Sequence, residues 1–470
     1  MLMIKDNGNN LTKNIILLGG SNSVMVNGLQ KGLKQMGINL TNLALGATTS
    51  IQNLYEILRD KNKTAIDESD LIITESNIND IGHHHCSIAI PIDTLIRNIC
   101  WLYEQLYLLD KKILVLILPR KFNGAHIDTI NNAHRYYSKK FGFNVVDMQC
   151  YYRDNNLFDF AEPFLDHQMN CIMRTLGENI IKNLNCFELP KKDVKIQINQ
   201  KFFICTPKAM CGAETLEPIY LKNSMFSETA HRLQGGIKLQ FPKTLYGYTL
   251  VGFHAWNDIE NRPQSLHQQT LFQSSIVVNS TNKKIIKATS AIRLLHVLNN
   301  EITIDEKTNV AFNDSDESVT EFSGGTPPNL PDIKKLNYID IIDFLLVKQE
   351  SKMSNEFNLD ELKKMDIKID GQYDFNHIIP PIAFFKELIE EYCSIVLPKH
   401  LSELKKQLIE RDKSITSLCQ ENNTLKSQIE ELHQQVSNHC IEVNAILDKN
   451  KYGVLEKMKD LLYTFNKFWR

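Results

Sequence analysis

The stretch IILLGGSNS at residues 15–23 places a serine hydroxyl where it could act as a nucleophile. An apolar run ends in two glycines and Ser21, and residues 24–36 are predicted to form a helix. A strand that turns through glycines into a helix leaves the turn residue exposed at the carboxyl end of a sheet. Its backbone N–H then lies near a helix N-terminus, where an oxyanion can be stabilised. Glycines are also common after strands, so a plain turn is the alternative interpretation.

Three later segments follow in an order that extends this interpretation. They are LALGATTS at residues 43–50, DLIITESNIND at residues 70–80 and FLDH at residues 164–167, the last followed by a helical pattern. The serine, glycine, asparagine and histidine of the four segments, in that order, resemble the four sequence blocks of the SGNH (GDSL-type) hydrolase family. The resemblance covers residues 1–190.

The resemblance implies a role for each matching residue. Ser21 would be the nucleophile and His167 the base, while the Ser21 N–H, the Gly46 N–H and the Asn79 amide would form an oxyanion hole. The base is needed because a serine hydroxyl is a poor nucleophile until an imidazole within hydrogen-bond reach removes its proton. Each preorganised donor to the oxyanion contributes about 3 kcal/mol to stabilising the transition state.

The sequence departs from the family pattern at two positions. Gly20 stands where the family usually has an aspartate, and Phe164 stands where the family places the aspartate that orients the histidine. Asp166, directly before His167, is our first choice for the orienting acid, and Glu162 is the second. A Ser–His dyad held by a backbone carbonyl is the third possibility.

Strands alternate with helices through residues 1–190. The predicted strands are 14–18, 40–45, 71–75, 112–118 and 144–147, and the clearest helical patterns are 91–108 and 128–141. This alternation predicts a parallel sheet covered by helices on both faces, that is, a three-layer α/β domain that binds ligands at the carboxyl ends of its strands. Ser21, Gly46 and Asn79 all fall at such ends.

The composition is that of an ordinary globular protein. Apolar residues make up 43% and charged residues 23% of 470 residues, and the net charge of −2 gives no basis for binding nucleic acid. The sequence contains no apolar run of about 18 residues, and residues 1–13 do not resemble a signal peptide. The ten cysteines include no Cys-x-x-Cys pair, so we expect free thiols, a cytoplasmic location and no cofactor.

A run of ligand-type side chains, His83, His84, His85 and Cys86, follows the asparagine block. Adjacent histidines in an extended segment point to opposite sides, so three in a row rarely bind one ion. We therefore predict no metal site here, and we expect the histidines to line the substrate cleft beside Asn79 instead.

Residues 191–350 change in character to short β-type runs separated by turns. The predicted strands are 201–206, 236–241, 249–255, 270–278 and 284–288, which indicate an all-β, sandwich-like module. This module contains a cluster of aromatic and imidazole side chains, namely Tyr246, Tyr248, Phe253, His254 and Trp256. We expect core packing for this cluster, with a sugar-stacking surface as the alternative, because aromatic faces suit the C–H faces of carbohydrates.

The C-terminal part is predicted to be helical. Residues 351–400 form a helical connector, and residues 401–447 carry a heptad repeat. Its a positions are Leu401, Leu408, Ile415, Asn422, Ile429, Val436 and Val443, and its d positions are Leu404, Arg411, Leu418, Leu425, Leu432, His439 and Ile446. β-Branched residues at a, leucine at d and a single asparagine at a favour a parallel homodimeric coiled coil.

Residues 448–470 form a basic amphipathic tail that ends in aromatic residues. Such a helix suits an anionic membrane surface or a partner protein, and packing back on the dimer is the alternative. We therefore expect a cytoplasmic protein, peripheral at the inner face of the membrane.

Together these features predict a serine-dependent esterase or O-acetyltransferase that acts on acylated carbohydrate, with a bacterial surface glycan as the preferred substrate. The alternative is a non-catalytic, glycan-binding or scaffold protein of the same fold, dimerised by its coiled coil. Hydrolysis and transfer are not separable from sequence, since water and a sugar hydroxyl attack the same acyl-enzyme.

Overall fold

The structure is a computed structural model of the chain. It describes residues 12–85, 90–121, 124, 126–164, 166–195, 200–214, 216–322, 326, 328, 330–349 and 358–468. The chain folds into two compact units, residues 1–384 and residues 385–470.

A five-stranded parallel sheet organises the N-terminal region. Its strands are β1 (Lys13–Leu18), β2 (Ile38–Asn42), β3 (Leu71–Thr74), β4 (Lys112–Ile117) and β5 (Asn144–Asp147), in the spatial order β2-β1-β3-β4-β5. The helices of this region are α1 (Ser21–Val24), α2 (Leu29–Leu33), α3 (Ser50–Leu58), α4 (Asp60–Asp67), α5 (Asn77–His85), α6 (Ile92–Leu108), α7 (Ile127–Phe141), α8 (Met148–Asp154), α9 (Phe158–Ala161) and α10 (Asn170–Lys182). A short 3-10 helix spans Glu162–Phe164.

Both faces of the parallel sheet are buried. Ile16 and Leu18 of β1 belong to one core cluster with Leu54 of α3. Ile15 and Leu17, which alternate with them and point to the other face, are also fully buried. Burial on both faces is typical of a parallel sheet between two helical layers, and the predicted three-layer α/β domain is confirmed.

The helix predicted over residues 24–36 is wrong in its extent. The structure has two short helices there, α1 and α2, separated by residues 25–28. Helix α2 approaches α10 so closely that a Cβ built on Gly32 would lie 2.0 Å from the carbonyl oxygen of Arg174. Hydrophobic periodicity does not reveal such a close fit between two helices.

The β-rich region forms two sheets that share a core, as expected for a sandwich-like module. The first contains β6 (Gln200–Cys205), β7 (Pro218–Lys222), β8 (Ser227–Gln234), β10 (Thr249–Ala255), β13 (Leu294–Thr303) and β16 (Tyr338–Gln349); the second contains β9 (Lys238–Gln240), β11 (Phe272–Asn279), β12 (Lys284–Ser290), β14 (Asn309–Phe312) and β15 (Lys334–Lys335). Phe253 and Phe344 of the first sheet pack with Ile276 and Val310 of the second. The helical elements of this region are α11 (Leu266–Thr270) and the 3-10 helices Pro207–Ala209 and Lys243–Leu245.

The aromatic cluster of this module is core and not a sugar-stacking surface. Phe253 and His254 are fully buried, Trp256 is 3% exposed and Tyr248 is 8% exposed. These side chains are enclosed because strand β10 lies between β13 and β16 in the sheet and packs against core on both faces.

The β-rich module is joined to the α/β domain by a buried network of charged groups. Arg59, at the end of α3, donates two hydrogen bonds to the carboxylate of Glu228 in β8, at 2.8 and 2.7 Å. Arg293 donates to Glu228 at 2.7 Å and to Glu56 at 2.9 Å. Burial alone would raise the pKa of Glu228, but the hydrogen bond from Arg59 and the charge of Arg293 outweigh it and lower that pKa to about 2. The two regions are therefore held together by ion pairs as well as by apolar packing.

The region predicted as a helical connector is partly folded onto the α/β domain. It contains α12 (Leu359–Lys364) and the 3-10 helices Gly371–Tyr373 and Asn376–Ile378. Asn132 of α7 donates to the carbonyl oxygen of Leu362 at 2.9 Å, and the Phe375 N–H donates to that of Val145 at 2.9 Å.

The remainder of the chain is one long helix, α13 (Ile382–Phe468), of 87 residues with Pro398 inside it. The predicted coiled-coil segment and basic tail therefore belong to a single helix, while Trp469 and Arg470 of the tail lie outside the described residues. The apolar heptad residues stay exposed on the single chain, for example Leu401 at 64% and Leu425 at 52%. Among the described residues, no helix is both long and apolar enough to cross a membrane.

Candidate active site

Ser21 is the first residue of α1, directly after the two glycines that follow β1, as the glycine-rich motif predicts. Glu75, which follows β3, stabilises the turn between β1 and α1. Its Oε1 accepts a hydrogen bond from the Gly20 N–H at 2.8 Å and another from the Ser23 hydroxyl at 3.0 Å. Glu75 is 1% exposed, and burial raises its pKa to about 7, although the hydrogen bonds from Gly20 and Ser23 act in the opposite direction. A buried carboxyl group thus stabilises the turn that leads into Ser21.

His167 lies beside Ser21. Its Nε2 is 2.8 Å from Ser21 Oγ, a hydrogen-bond distance, and the predicted proximity of these two residues is confirmed. Ser21 is half-buried and His167 is exposed, so a substrate can reach both. This geometry allows Nε2 to accept the hydroxyl proton directly.

The two other block residues converge on the same turn. A Cβ built on Gly20 would lie 1.9 Å from Asn79 Nδ2, and one built on Gly46 would lie 3.9 Å from Ser21 Cβ. Within the described part of the chain, neither the Ser21 N–H nor the Gly46 N–H donates to another group. Both N–H groups and the Asn79 amide therefore lie near Ser21 without a hydrogen-bond partner among the described residues.

Asn79 lies in the first turn of α5, one position before Asp80, and not at the end of a strand as predicted. Asp80 is fully buried and accepts from the Ser50 N–H at 2.9 Å, from the Ser50 hydroxyl at 2.6 Å and from His134 at 3.1 Å. Because Ser50 begins α3 directly after the Gly46 loop, Asp80 fixes that loop relative to Asn79.

The three histidines are helical, so the prediction that they lie in an extended segment is wrong. His83 to His85 form the last turn of α5, and His83 Nε2 contacts the carbonyl oxygen of Ala47 at 2.9 Å. Ala47 has a left-handed backbone (φ 58°), so His83 supports a strained residue next to Gly46. The described residues contain no group of three or more His, Cys, Asp or Glu that could hold a metal ion, and Cys86 lies outside them.

Neither acid proposed to orient His167 is observed to contact its ring. Asp166 pairs with Arg120 Nη2 at 3.0 Å, and Glu162 contacts Lys121 at 3.4 Å. Across the described residues, no group hydrogen-bonds to Nδ1 of His167. The structure therefore places the His167 ring against Ser21, and among the described residues no carboxylate hydrogen-bonds to its other nitrogen.

Several residues that hold this site were not identified from the sequence. Asn22 and Gln168 connect the serine turn to the histidine loop, with the Gln168 N–H donating to Asn22 Oδ1 at 3.0 Å. Arg120 contacts the carbonyl oxygen of Ile78 in α5 as well as Asp166. A sequence signal is present at Glu75, a charged residue that directly follows the buried strand LIIT.

Comparisons with known proteins find likenesses among solved esterases and lipases. An acetylxylan esterase from Geobacillus stearothermophilus is 12% identical, with a TM-score of 0.29, and the match covers 38% of this chain and 97% of that one. An α/β hydrolase from the metagenome of Lake Arreo is 13% identical, with a TM-score of 0.28 and coverage of 38% and 96%. A lipase from Parabacteroides merdae described as GDSL-like is 14% identical, with a TM-score of 0.29 and coverage of 37% and 96%.

No family model matches the chain, and no curated protein matches it. Likenesses of the size found among solved structures say nothing of this chain's activity. The assignment of residues 12–195 as a parallel α/β domain rests on the strand order of their own sheet.

Proposed function

We propose that the α/β domain is a serine-dependent acyl-transfer enzyme acting on esters. The observation that carries the proposal is the 2.8 Å contact between Ser21 Oγ and His167 Nε2, at a turn where three hydrogen-bond donors are free to bind an oxyanion. A nucleophile, a base and an oxyanion hole are the parts that ester cleavage through an acyl-enzyme needs.

The reaction proceeds in two stages. Nε2 of His167 takes the proton of Ser21 as Oγ attacks the acyl carbon, and the carbonyl oxygen becomes an oxyanion bound by the N–H groups of Ser21 and Gly46 and by the Asn79 amide. The intermediate collapses, the C–O bond to the leaving alcohol breaks, and Nε2 returns the proton to that alcohol. Water or an acceptor hydroxyl then attacks the acyl-enzyme by the same path, which gives an esterase or an O-acetyltransferase.

For the substrate we propose an acylated carbohydrate, with a bacterial surface glycan preferred. The buried aromatic cluster gives this no support, but an open groove of about 650 Å³ beside strands β11 and β14 of the second β sheet does. The groove combines the half-buried rings of Phe312 and Phe322 with polar groups, including Asp314 and Asn337, whose side chains make no hydrogen bond within the described residues. A mixture of apolar surface with a few polar groups is typical of small-molecule sites and suits a polyhydroxylated ligand.

For the assembly we propose a homodimer formed through residues 401–447. The exposed apolar heptad stripe of α13 supports this, since such a stripe is unstable in water without a partner helix. The basic tail is proposed to contact an anionic membrane surface or a partner protein, and the cytoplasmic location stays a prediction.

The second candidate is a non-catalytic protein of the same fold that binds glycans or serves as a scaffold. The observation that favours it is the absence of an acceptor for Nδ1 of His167 among the described residues. Reaction with a fluorophosphonate probe distinguishes the two, because only an activated serine is labelled. We expect labelling of the wild type, none of Ser21→Ala, and loss of acetyl-ester cleavage in the variant; an unlabelled wild type would leave the second candidate.

A further inference from the structure

Asn22 links the serine turn to both sides of the proposed base. Its Nδ2 donates to the carbonyl oxygen of Asp166 at 3.0 Å, and its Oδ1 accepts from the N–H of Gln168 at 3.0 Å. These two backbone groups flank His167. Asn22 is 2% exposed, so water does not compete for either bond.

The same short loop has two further anchors. The His167 N–H donates to the carbonyl oxygen of Phe164 at 3.1 Å, and the Tyr152 hydroxyl donates to Gln168 Oε1 at 2.9 Å. The ring of His167 itself has a single described contact, Nε2 with Ser21 Oγ. The backbone of the loop therefore determines where the imidazole lies.

Among the described residues, no carboxylate orients the His167 ring. The Asp166 carboxylate faces Arg120, which also contacts α5, and Glu162 faces Lys121. Asn22, by contrast, is the residue directly after Ser21, so a bond from its side chain to the histidine loop fixes the base relative to the nucleophile across a single peptide unit.

We infer that Asn22 is a positioning residue that holds His167 against Ser21 through the backbone, so that the site works as a Ser–His dyad without an orienting acid. The inference rests on the proposed function. Displacing a reacting group by about 1 Å can cost about 100-fold in rate, so loss of both bonds is expected to lower kcat by that order.

The test uses the full-length chain and an acetyl ester of a chromogenic phenol. Asn22→Ala is expected to lower kcat about 100-fold with little change in KM. Asn22→Asp, which keeps the acceptor for Gln168 but loses the donor to Asp166, is expected to fall between. The matched control is Asn155→Ala, which removes an exposed asparagine bonded to the carbonyl oxygen of Tyr151; it is expected to keep wild-type activity.

A double-mutant cycle separates positioning from general damage. If Asn22 acts through the base, Asn22→Ala added to His167→Ala causes no further loss, whereas a disordered fold would lower the residual rate again. Thermal melts confirm folding, and Asn22→Asp serves if Asn22→Ala does not fold.

Two results overturn the inference while leaving the proposed function intact. The first is a wild-type kcat in Asn22→Ala. The second is a lower kcat in Asp166→Asn or Glu162→Gln but not in Asn22→Ala, which would mean that a carboxylate orients His167. Full activity in Ser21→Ala would instead overturn the proposed function itself.

Discussion

Glu75 accepts a hydrogen bond from the N–H of Gly20 at 2.8 Å, so a buried carboxyl group lies against the residue that precedes the proposed nucleophile. Its second oxygen, Oε2, is buried and makes no hydrogen bond among the described residues. A carboxylate in this position is poorly solvated, which is why burial raises the pKa of Glu75 from 4.5 to about 7.

The raised pKa makes the stability of the protein pH-dependent in a defined direction. Between pH 4.5 and pH 7 the folded state holds a proton that the unfolded chain has released, so this contribution is complete below 4.5 and is lost as the pH rises through 7. Glu75→Gln removes the ionisation. We expect the Tm of Glu75→Gln minus the Tm of wild type, measured by thermal melts, to become more positive as the pH rises from 5 to 8. Glu162→Gln, at an exposed site, is the control, and parallel pH curves for Glu75→Gln and wild type would contradict the assignment.

Gly20→Ala tests the position of the proposed oxyanion donor. The added Cβ would lie 1.9 Å from Asn79 Nδ2, so the amide must move. We expect kcat to fall about 100-fold or more, the cost of losing one oxyanion donor, with little change in Tm. Gly371→Ala is the control, because a Cβ there meets nothing within 4 Å. Full activity in Gly20→Ala would remove Asn79 from the hole.

Much of the α/β fold and the convergence of the block residues could be predicted from sequence, for a simple reason. Apolar runs mark buried strands, and parallel strands end at one edge of the sheet, so Ser21 and Gly46 had to lie near each other. The proximity of His167 to Ser21 is predicted by the order of the four sequence blocks and not by the strand pattern.

The supporting contacts could not be predicted in the same way. Asn22 and Arg120 act on residues that are distant in sequence, and no local periodicity reports such pairs. The enclosure of Trp256 and His254 depends on how the two β sheets and the α/β domain pack together. The histidine run was misjudged because α5 continues through residues of modest helix propensity, where tertiary contacts such as His83 with Ala47 decide the conformation.

Loss of the buried ion pairs between the two folded regions is expected to destabilise the protein as the pH falls. Glu228→Gln leaves Arg59 and Arg293 buried with less neutralising charge and is expected to lower the free energy of unfolding by about 3–5 kcal/mol. Since the pKa of Glu228 is lowered to about 2, its stabilisation is present above its ordinary pKa of 4.5 and lost as the pH falls towards 2. Urea unfolding at several pH values measures both effects. Asp154→Asn, in a pair with Arg153 in which both side chains are 63% exposed, is expected to cost less than about 1 kcal/mol; an equal cost for Glu228→Gln and Asp154→Asn would refute the argument.

The oligomeric state tests the heptad segment. Light scattering is expected to give a dimer for the full-length chain and a monomer, still active, for a chain ending at Leu397, because the proposed catalytic residues all precede Gln168. Asn422→Leu is expected to raise Tm and to broaden the choice of oligomer, since an asparagine at an a position specifies register at a cost in stability. A monomeric full-length chain at micromolar concentration would exclude the dimer, and a dimeric truncation would place the interface in residues 1–384.

The groove on the β-rich module is tested by comparing a small and a large substrate. Asn337→Ala and Asp314→Ala remove the polar groups that have no partner among the described residues. We expect a several-fold higher KM on an acetylated oligosaccharide and unchanged kinetics on a phenyl acetate, because the small ester lacks the sugar units that the groove is proposed to bind. Equal effects on both substrates, or no effect on either, would show that the groove does not bind the substrate.

The close approach of Asn79 to Gly20 also bears on how distant relatives of this chain are recognised. A search pattern that demands aspartate at the position before the serine rejects this sequence, although the space for that side chain is already occupied by an amide from a different block. Side chains at positions 20 and 79 compete for the same space. We therefore expect a bulky residue at the position of Gly20 to occur together with a smaller or displaced residue at the position of Asn79. A search pattern that considers positions 20 and 79 together would accept chains in which the side chain of either position fills this space.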